Sequence, residues 1–154
     1  MKIIETTILS EQAKEKVRAL WNQEYPEKIK HNTQADLQVY LNTLNNLKHY
    51  LLIDGEEEIK GWAFSFQREA ADWFAIILHS NIKNQGYGTL LLNRLKENRL
   101  CLYGWVIDHD ADKKSDGEIY ISPLGFYLKN NFVISAQERL ETEKISAVKI
   151  QWQK

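Results

Sequence analysis

The sequence predicts an α/β (α+β) protein with its elements in the order β-α-α-β-β-β-α-β-α-β-β. Three stretches carry that expectation. Residues 73–78 are an unbroken apolar run, followed by a polar bend, Gly86-Tyr87-Gly88 and a leucine-rich segment from Thr89. This reads as strand, turn and helix. Residues 59–67 place Trp62, Phe64 and Phe66 at every second position, the period of a strand. Ala13, Val17, Leu20 and Trp21 recur at helical spacing.

The elements follow in chain order. Residues 2–9 are a short β-rich segment. Ser10 can cap the first helix, and Glu11 in its first turn suits the helix dipole. That helix should stop before Pro26. Thr33 with Asp36 three residues on forms a capping-box pattern, and Leu37, Tyr40, Leu41 and Leu44 make one face of a second helix. Residues 24–32 join the two helices and carry Tyr25, Pro26 and His31. Residues 50–53 are a strand, and Asp54-Gly55 marks a hairpin turn into the alternating strand.

Residues 68–72 connect to the central strand, whose two apolar faces suit the middle of a sheet. In the helix after the glycines, Leu91, Leu92 and Leu95 face inward, while Asn93, Arg94, Lys96 and Glu97 face water. Residues 100–107 are another apolar strand. Residues 108–120 are too polar to bury and long for a connection, so they are expected to be functional or mobile. Pro123 can open the last helix, which carries Phe126 and Tyr127 and ends near Asn131. Residues 132–134 and 145–152 make a final strand pair.

Composition narrows the function classes. A chain of 154 residues is the size of one domain with a real core, here expected to span 1–154. Hydrophobic content of 44% and aromatic content of 11% predict a packed globule. A net charge of -1 leaves no electrostatic footprint for nucleic acid or an acidic membrane surface. The single cysteine, Cys101, excludes an internal disulfide, fits a reducing compartment and reads as core. The charged opening shows no signal peptide, and no apolar run approaches a membrane span. A cytoplasmic monomer or homodimer is the expectation.

Gly86-Tyr87-Gly88 at a helix entrance points to phosphate. A helix N-terminus offers unpaired N–H groups and partial positive charge, and glycine lets a bulky diphosphate approach the backbone. Metal chemistry finds less support. Read as a calcium loop from Asp108, the sixth position is Lys113 and the twelfth Ile119, where glycine and glutamate are needed. No Gly-x-Ser-x-Gly nucleophile motif is present, and Cys101 has no placed partner.

The segment Lys83-Asn84-Gln85-Gly86-Tyr87-Gly88 resembles the pyrophosphate-binding motif of the GCN5-related N-acetyltransferases (GNAT), Arg/Gln-x-x-Gly-x-Gly/Ala after a strand. Lys83 stands where the family has Arg or Gln. A second landmark, aromatic-Tyr-x-x-x-Gly-Phe, is matched by residues 126–132, with Asn131 in place of glycine. Asparagine is the next best residue for a left-handed helix end. The resemblance covers nearly the whole chain. It implies a mixed central sheet flanked by helices on both sides.

It also implies acetyl-CoA as co-substrate and transfer of its acetyl group to an amine by direct attack. The central strand would splay from its neighbour, so that Ile76, Ile77 and Leu78 contact the pantetheine arm like an added strand. Leu78 N–H would polarise the thioester oxygen. Lys83, Asn84, Gln85, Gly86, Tyr87, Gly88 and Thr89 would wrap the diphosphate. Tyr127 matches the tyrosine that protonates the leaving thiolate. The loop of residues 86–89 would in that case be a binding element and not merely a connection.

For a general base, Asp108, His109, Asp110 and Glu118 all lie in the polar loop. Asp108 is preferred because it directly ends an apolar strand and is better fixed there. The family's usual asparagine seven residues before its tyrosine is replaced by Tyr120. Two rivals remain: a coenzyme A-binding sensor or interaction module without catalysis, and a nucleotide-binding α/β module. The latter needs a third glycine where Leu91 stands. A small amine, a peptide N-terminus, a lysine and an aminoglycoside are all open as acceptor.

Overall fold

The computed structural model describes residues 1–154, the side chain of Ala136 apart. Seven strands form one mixed sheet: β1 (Lys2–Thr6), β2 (Asn45–Ile53), β3 (Ile59–Arg68), β4 (Ala71–Leu78), β5 (Cys101–Val106), β6 (Val133–Glu141) and β7 (Ser146–Gln153). Their spatial order is β1-β2-β3-β4-β5-β7-β6. All neighbours are antiparallel except β4 and β5, which are parallel. The helices are α1 (Glu11–Glu24), α2 (Gln34–Asn42), α3 (Tyr87–Lys96) and α4 (Leu124–Lys129). This is the element order that the sequence predicts.

Strand periodicity decides which helices cover which face. Trp62, Phe64, Phe66, Trp73 and Ile77 pack with Val17, Leu20, Trp21, Leu37 and Leu41 of α1 and α2. The alternate residues, among them Ala63, Phe74, Leu102 and Ile150, pack with Leu91, Leu92, Leu95 and Tyr127 of α3 and α4. Both faces of β3 and β4 are therefore buried, as their apolar runs require. The caps follow the sequence: Ser10 accepts the Ala13 N–H, and Thr33 with Asp36 closes the reciprocal capping box. Asn131 has φ 69°, the left-handed conformation expected at the end of α4.

Several boundaries differ from expectation. Strand β2 starts at Asn45, because its polar half is carried in register with β3 across a bulge near Asn46. Residues 68–72 are no loop: Arg68 pairs with Ala71, and Glu69 and Ala70 turn at φ 53° and 61°. Two positive φ values match a hairpin turn whose twist suits the strands, although neither glycine nor asparagine announces it. Strand β6 is also longer than residues 132–134 suggest, while β7 keeps the expected length, one residue further on. Cys101 is half-buried at the start of β5 and is no full core residue. No helix is long and apolar enough to cross a membrane among the described residues.

Candidate active site

Strands β4 and β5 are in register at one pair only, Trp73 with Tyr103. Beyond it they part, and β4 continues to Leu78 with β3 alone as its partner. The His79 N–H donates to Lys60 O at 2.8 Å, continuing the β3–β4 register in which Ile77 faces Trp62. Partners in such a ladder alternate, so Ile77 directs its backbone toward β3. Ile76 and Leu78 direct theirs into the gap. Backbone groups left unpaired in a sheet need another partner.

The chain beyond β4 sets a second group of free donors beside the gap. Residues 80–82 make one 3-10 turn, Asn84 turns at φ 62°, and Gly86 takes φ 90° directly before α3. The first backbone bond into α3 runs from Leu90 N–H to Gly86 O. The N–H groups of Tyr87, Gly88 and Thr89 thus have no intrahelical acceptor, and no side chain caps them. The two glycines serve different ends. A Cβ at Gly86 would meet nothing within 4 Å, so the left-handed φ is what selects glycine there. A Cβ at Gly88 would stand 3.0 Å from Phe126 Cζ, so this glycine lets α4 pack against the start of α3.

Gap and helix start open into one cavity of about 640 Å³. Ile76, Ile77, Leu78, Lys83, Asn84, Gly86, Gly88, Thr89 and Tyr127 all line it. Gln85 and Tyr87 do not. Gln85 turns outward and donates its amide to Asn81 O, while Tyr87, the first residue of α3, packs on the core. Tyr127 is 6% exposed and stands edge-on to Phe74, Phe126 and Phe132. Burial pushes its phenol well above the usual tyrosine range, with the nearby Tyr25 adding to the rise. Its hydroxyl makes no hydrogen bond among the described residues.

The polar segment 108–120 is mostly exposed, as its composition suggests, with Asp112 buried. Lys113 pairs with Ile119 and Lys114 with Pro26 in short antiparallel bridges. The Glu27 N–H donates to Lys113 O, and Asp112, 7% exposed, meets Lys28 Nζ at 2.8 Å. The counter-charge of Lys28, in the loop after α1, makes Asp112 buriable. The segment thereby lays Lys114, Ile119 and Tyr120 along the cavity.

The expected base does not reach the cavity. Asp108 is gripped through both oxygens by the Arg139 guanidinium of β6, at 2.8 and 3.0 Å. That pairing holds its carboxyl below the usual aspartate range. His109, Asp110 and Glu118 stay outside the cavity too; Asp110 accepts the Ser122 N–H, and His109 Nδ1 accepts the Ala111 N–H. The Asp108→Asn substitution should therefore leave the pH dependence of any reaction in the cavity unmoved and act on stability. A carboxyl depressed in the fold stabilises above its unfolded value near pH ~4, and that contribution is lost as pH falls through the folded value. The pair is partly exposed, so the effect is small. Parent and variant should differ slightly in melting temperature at pH 7 and converge as the pH is brought well below 4. A shifted rate profile with unchanged stability would contradict this.

Sequence reading missed Glu24. This carboxylate ends α1, is 2% exposed and lines the cavity. A negative charge at a helix C-terminus opposes the dipole, and that local conflict is the signal that could have found it. Tyr25 and Tyr120, ring centroids 6.2 Å apart, complete the same wall. Burial raises both phenols well above the ordinary value. No cluster of three His, Cys, Asp or Glu residues is placed to hold a metal among the described residues.

No protein-family model and no curated protein matches the chain. Solved structures do match over nearly all of it. An aminoglycoside 6'-N-acetyltransferase complexed with coenzyme A aligns at TM-score 0.74 and 16% identity, over 99% of this chain and 97% of its own. An acetyltransferase of the GNAT family from Staphylococcus aureus aligns at 0.70 and 15%, over 99% of both chains. A GNAT superfamily phosphinothricin acetyltransferase from Sinorhizobium meliloti in complex with AcCoA aligns at 0.62 and 12%, over 99% of this chain and 89% of its own. The mixed sheet with helices on both faces is the GNAT fold.

Proposed function

We propose that this chain, with the GNAT fold as its frame, moves an acetyl group from acetyl-CoA to an amine by direct attack. The observation that carries the reading is the parting of β4 from β5 beside an uncapped helix start, with Tyr127 on the same cavity. Ile76 and Leu78 would pair with the amides of the pantetheine arm through the backbone groups they turn into the gap, in the manner of an added strand. Ile77 would add only its place in the wall. The diphosphate would take the free N–H groups of Tyr87, Gly88 and Thr89, where the helix end favours negative charge. Lys83, Asn84 and Gly86 border that position. Two of the similar structures hold coenzyme A or acetyl-CoA, which supports the same cofactor here.

The chemistry asks little of side chains. Leu78 N–H would hold the thioester oxygen as charge develops on it, an interaction that a preorganised backbone donor supplies well. Tyr127 would give its proton to the departing sulfur. The protein would act as a cytoplasmic enzyme on a small-molecule or peptide amine, as one domain and as a monomer or homodimer.

The deciding experiment combines two measurements. Acetyl-CoA should raise the melting temperature, and a panel of amines should include at least one that releases free coenzyme A thiol. A thermal shift with no thiol release from any amine would favour a binding module that keeps the fold without the chemistry. No thermal shift would sink the cofactor assignment.

A further inference from the structure

The cavity wall carries one carboxylate, Glu24, and two ammonium groups, Lys83 and Lys114, among the described residues. Glu24 Oε2 is fully engaged, accepting the Ser80 N–H at 2.9 Å and the Gln23 amide at 3.1 Å. Glu24 Oε1 is buried and accepts no hydrogen bond. Lys83 Nζ stands 3.4 Å from it and Lys114 Nζ 3.8 Å. A buried carboxylate oxygen without a hydrogen bond is costly, and here it also sits at the unfavourable end of a helix dipole. The two lysines offset the buried charge without giving Oε1 a hydrogen bond, and a ligand can supply one.

Position says which ligand. Ser80 lies two residues beyond Leu78, so its bond to Oε2 fixes Glu24 beside the mouth of the β4–β5 gap. The rings of Tyr25 and Tyr120 and the aliphatic side chains of Ile119 and Ile121, which are 52% and 67% exposed, line the same cavity. We propose that Glu24 Oε1 receives the ammonium group of the acceptor, and that the acceptor is a primary amine on an apolar or aromatic body with no second positive charge. The assignment rests on the acetyl-transfer reading above.

An ammonium group supplies the hydrogen bond that Oε1 lacks. Lys83 belongs to the phosphate turn and is 46% exposed at its side chain, so a bound diphosphate can draw it off Oε1 and open the place. Lys114 stays 3.8 Å from Oε1, and the cavity wall offers no second carboxylate among the described residues, so a second positive charge on a polyamine or polycationic sugar would find no partner there. Once docked, the ammonium passes one proton to Glu24. The nitrogen lone pair attacks the thioester carbon, the C–N bond forms, and the C–S bond breaks as thiolate leaves. Tyr127 gives its proton to the sulfur and recovers one from the nitrogen, directly or through water.

Calorimetric titration of phenethylamine into the coenzyme A-loaded protein tests this. Saturable binding is expected, weakened roughly 10-fold or more by Glu24→Gln, the usual scale for losing a hydrogen bond between charged groups. Glutamine keeps an oxygen for the Ser80 N–H. Because Glu24 also braces Ser80, a second comparison leaves the protein intact: 2-phenylethanol, which lacks the ammonium, should bind the parent roughly 10-fold more weakly or worse. No phenethylamine binding, equal affinity in either comparison, or tighter binding of spermidine or kanamycin would overturn the assignment while coenzyme A still binds. Failure of coenzyme A itself to bind would overturn the acetyl-transfer reading, and this assignment with it.

Discussion

Tyr127→Phe should lower turnover on the order of 100-fold or more, the scale of a lost general acid, and leave the fold and acetyl-CoA affinity near the parent's. The ring is held by Phe74, Phe126 and Phe132, and phenylalanine keeps those contacts. The hydroxyl has no protein partner, so its removal strands no buried donor or acceptor. Burial pushes the phenol well above its ordinary value, so the group keeps its proton throughout the neutral range. An acid limb or base limb near neutrality therefore belongs to another group, and the variant should retain the parent's profile at a lower rate. Loss confined to turnover identifies a contact made in the transition state. Loss mainly in acetyl-CoA affinity would make Tyr127 a cofactor clamp, and near-parental turnover would show that solvent protonates the thiolate.

Local signals carried the fold, and pairings between distant segments did not show. The capping pairs at Ser10 and Thr33, the alternation through Trp62, Phe64 and Phe66, and the inward leucines of α3 each depend on residues a few positions apart. Asn131 adopts the left-handed end that its side chain tolerates. The Glu69-Ala70 turn escaped because its residues rarely adopt positive φ, and the register of the flanking strands imposes it. The segment 108–120 escaped for a stronger reason. Its placement depends on Lys28, Glu24 and the backbone of residues 26–27, more than eighty residues earlier in the chain.

The site divides in the same way. The turn of residues 83–89 is contiguous in sequence, and it brings Lys83, Asn84, Gly86, Gly88 and Thr89 to the cavity. Gln85 and Tyr87 lie between them and face elsewhere, Gln85 toward solvent and Tyr87 onto the core. Asp108 lies two residues beyond β5, and Arg139, thirty-one residues on, claims its carboxylate. Glu24 ends a helix whose only local sign of it is a negative charge at the C-terminus. Nothing near it in sequence tells of Ser80, Lys83 and Lys114.

Gly86→Val should abolish stabilisation by acetyl-CoA. At Gly86 the backbone takes φ 90°, which a β-branched residue adopts only under strain of roughly 1–3 kcal/mol. The variant should therefore start from a lower melting temperature than the parent. Its Cβ would meet no protein atom within 4 Å, so the strain is not compounded by a clash and the protein should still fold. That open space lies at the uncapped end of α3, where the diphosphate is proposed to sit, and a valine side chain would fill it. At a ligand concentration of 100 times Kd, the parent should gain about 2.7 kcal/mol from binding. A folded variant should gain little or nothing at the same concentration. Circular dichroism would first establish that the variant is folded, and thermal melts with and without acetyl-CoA would then give the two shifts. Equal shifts in parent and variant would move the diphosphate away from the start of α3.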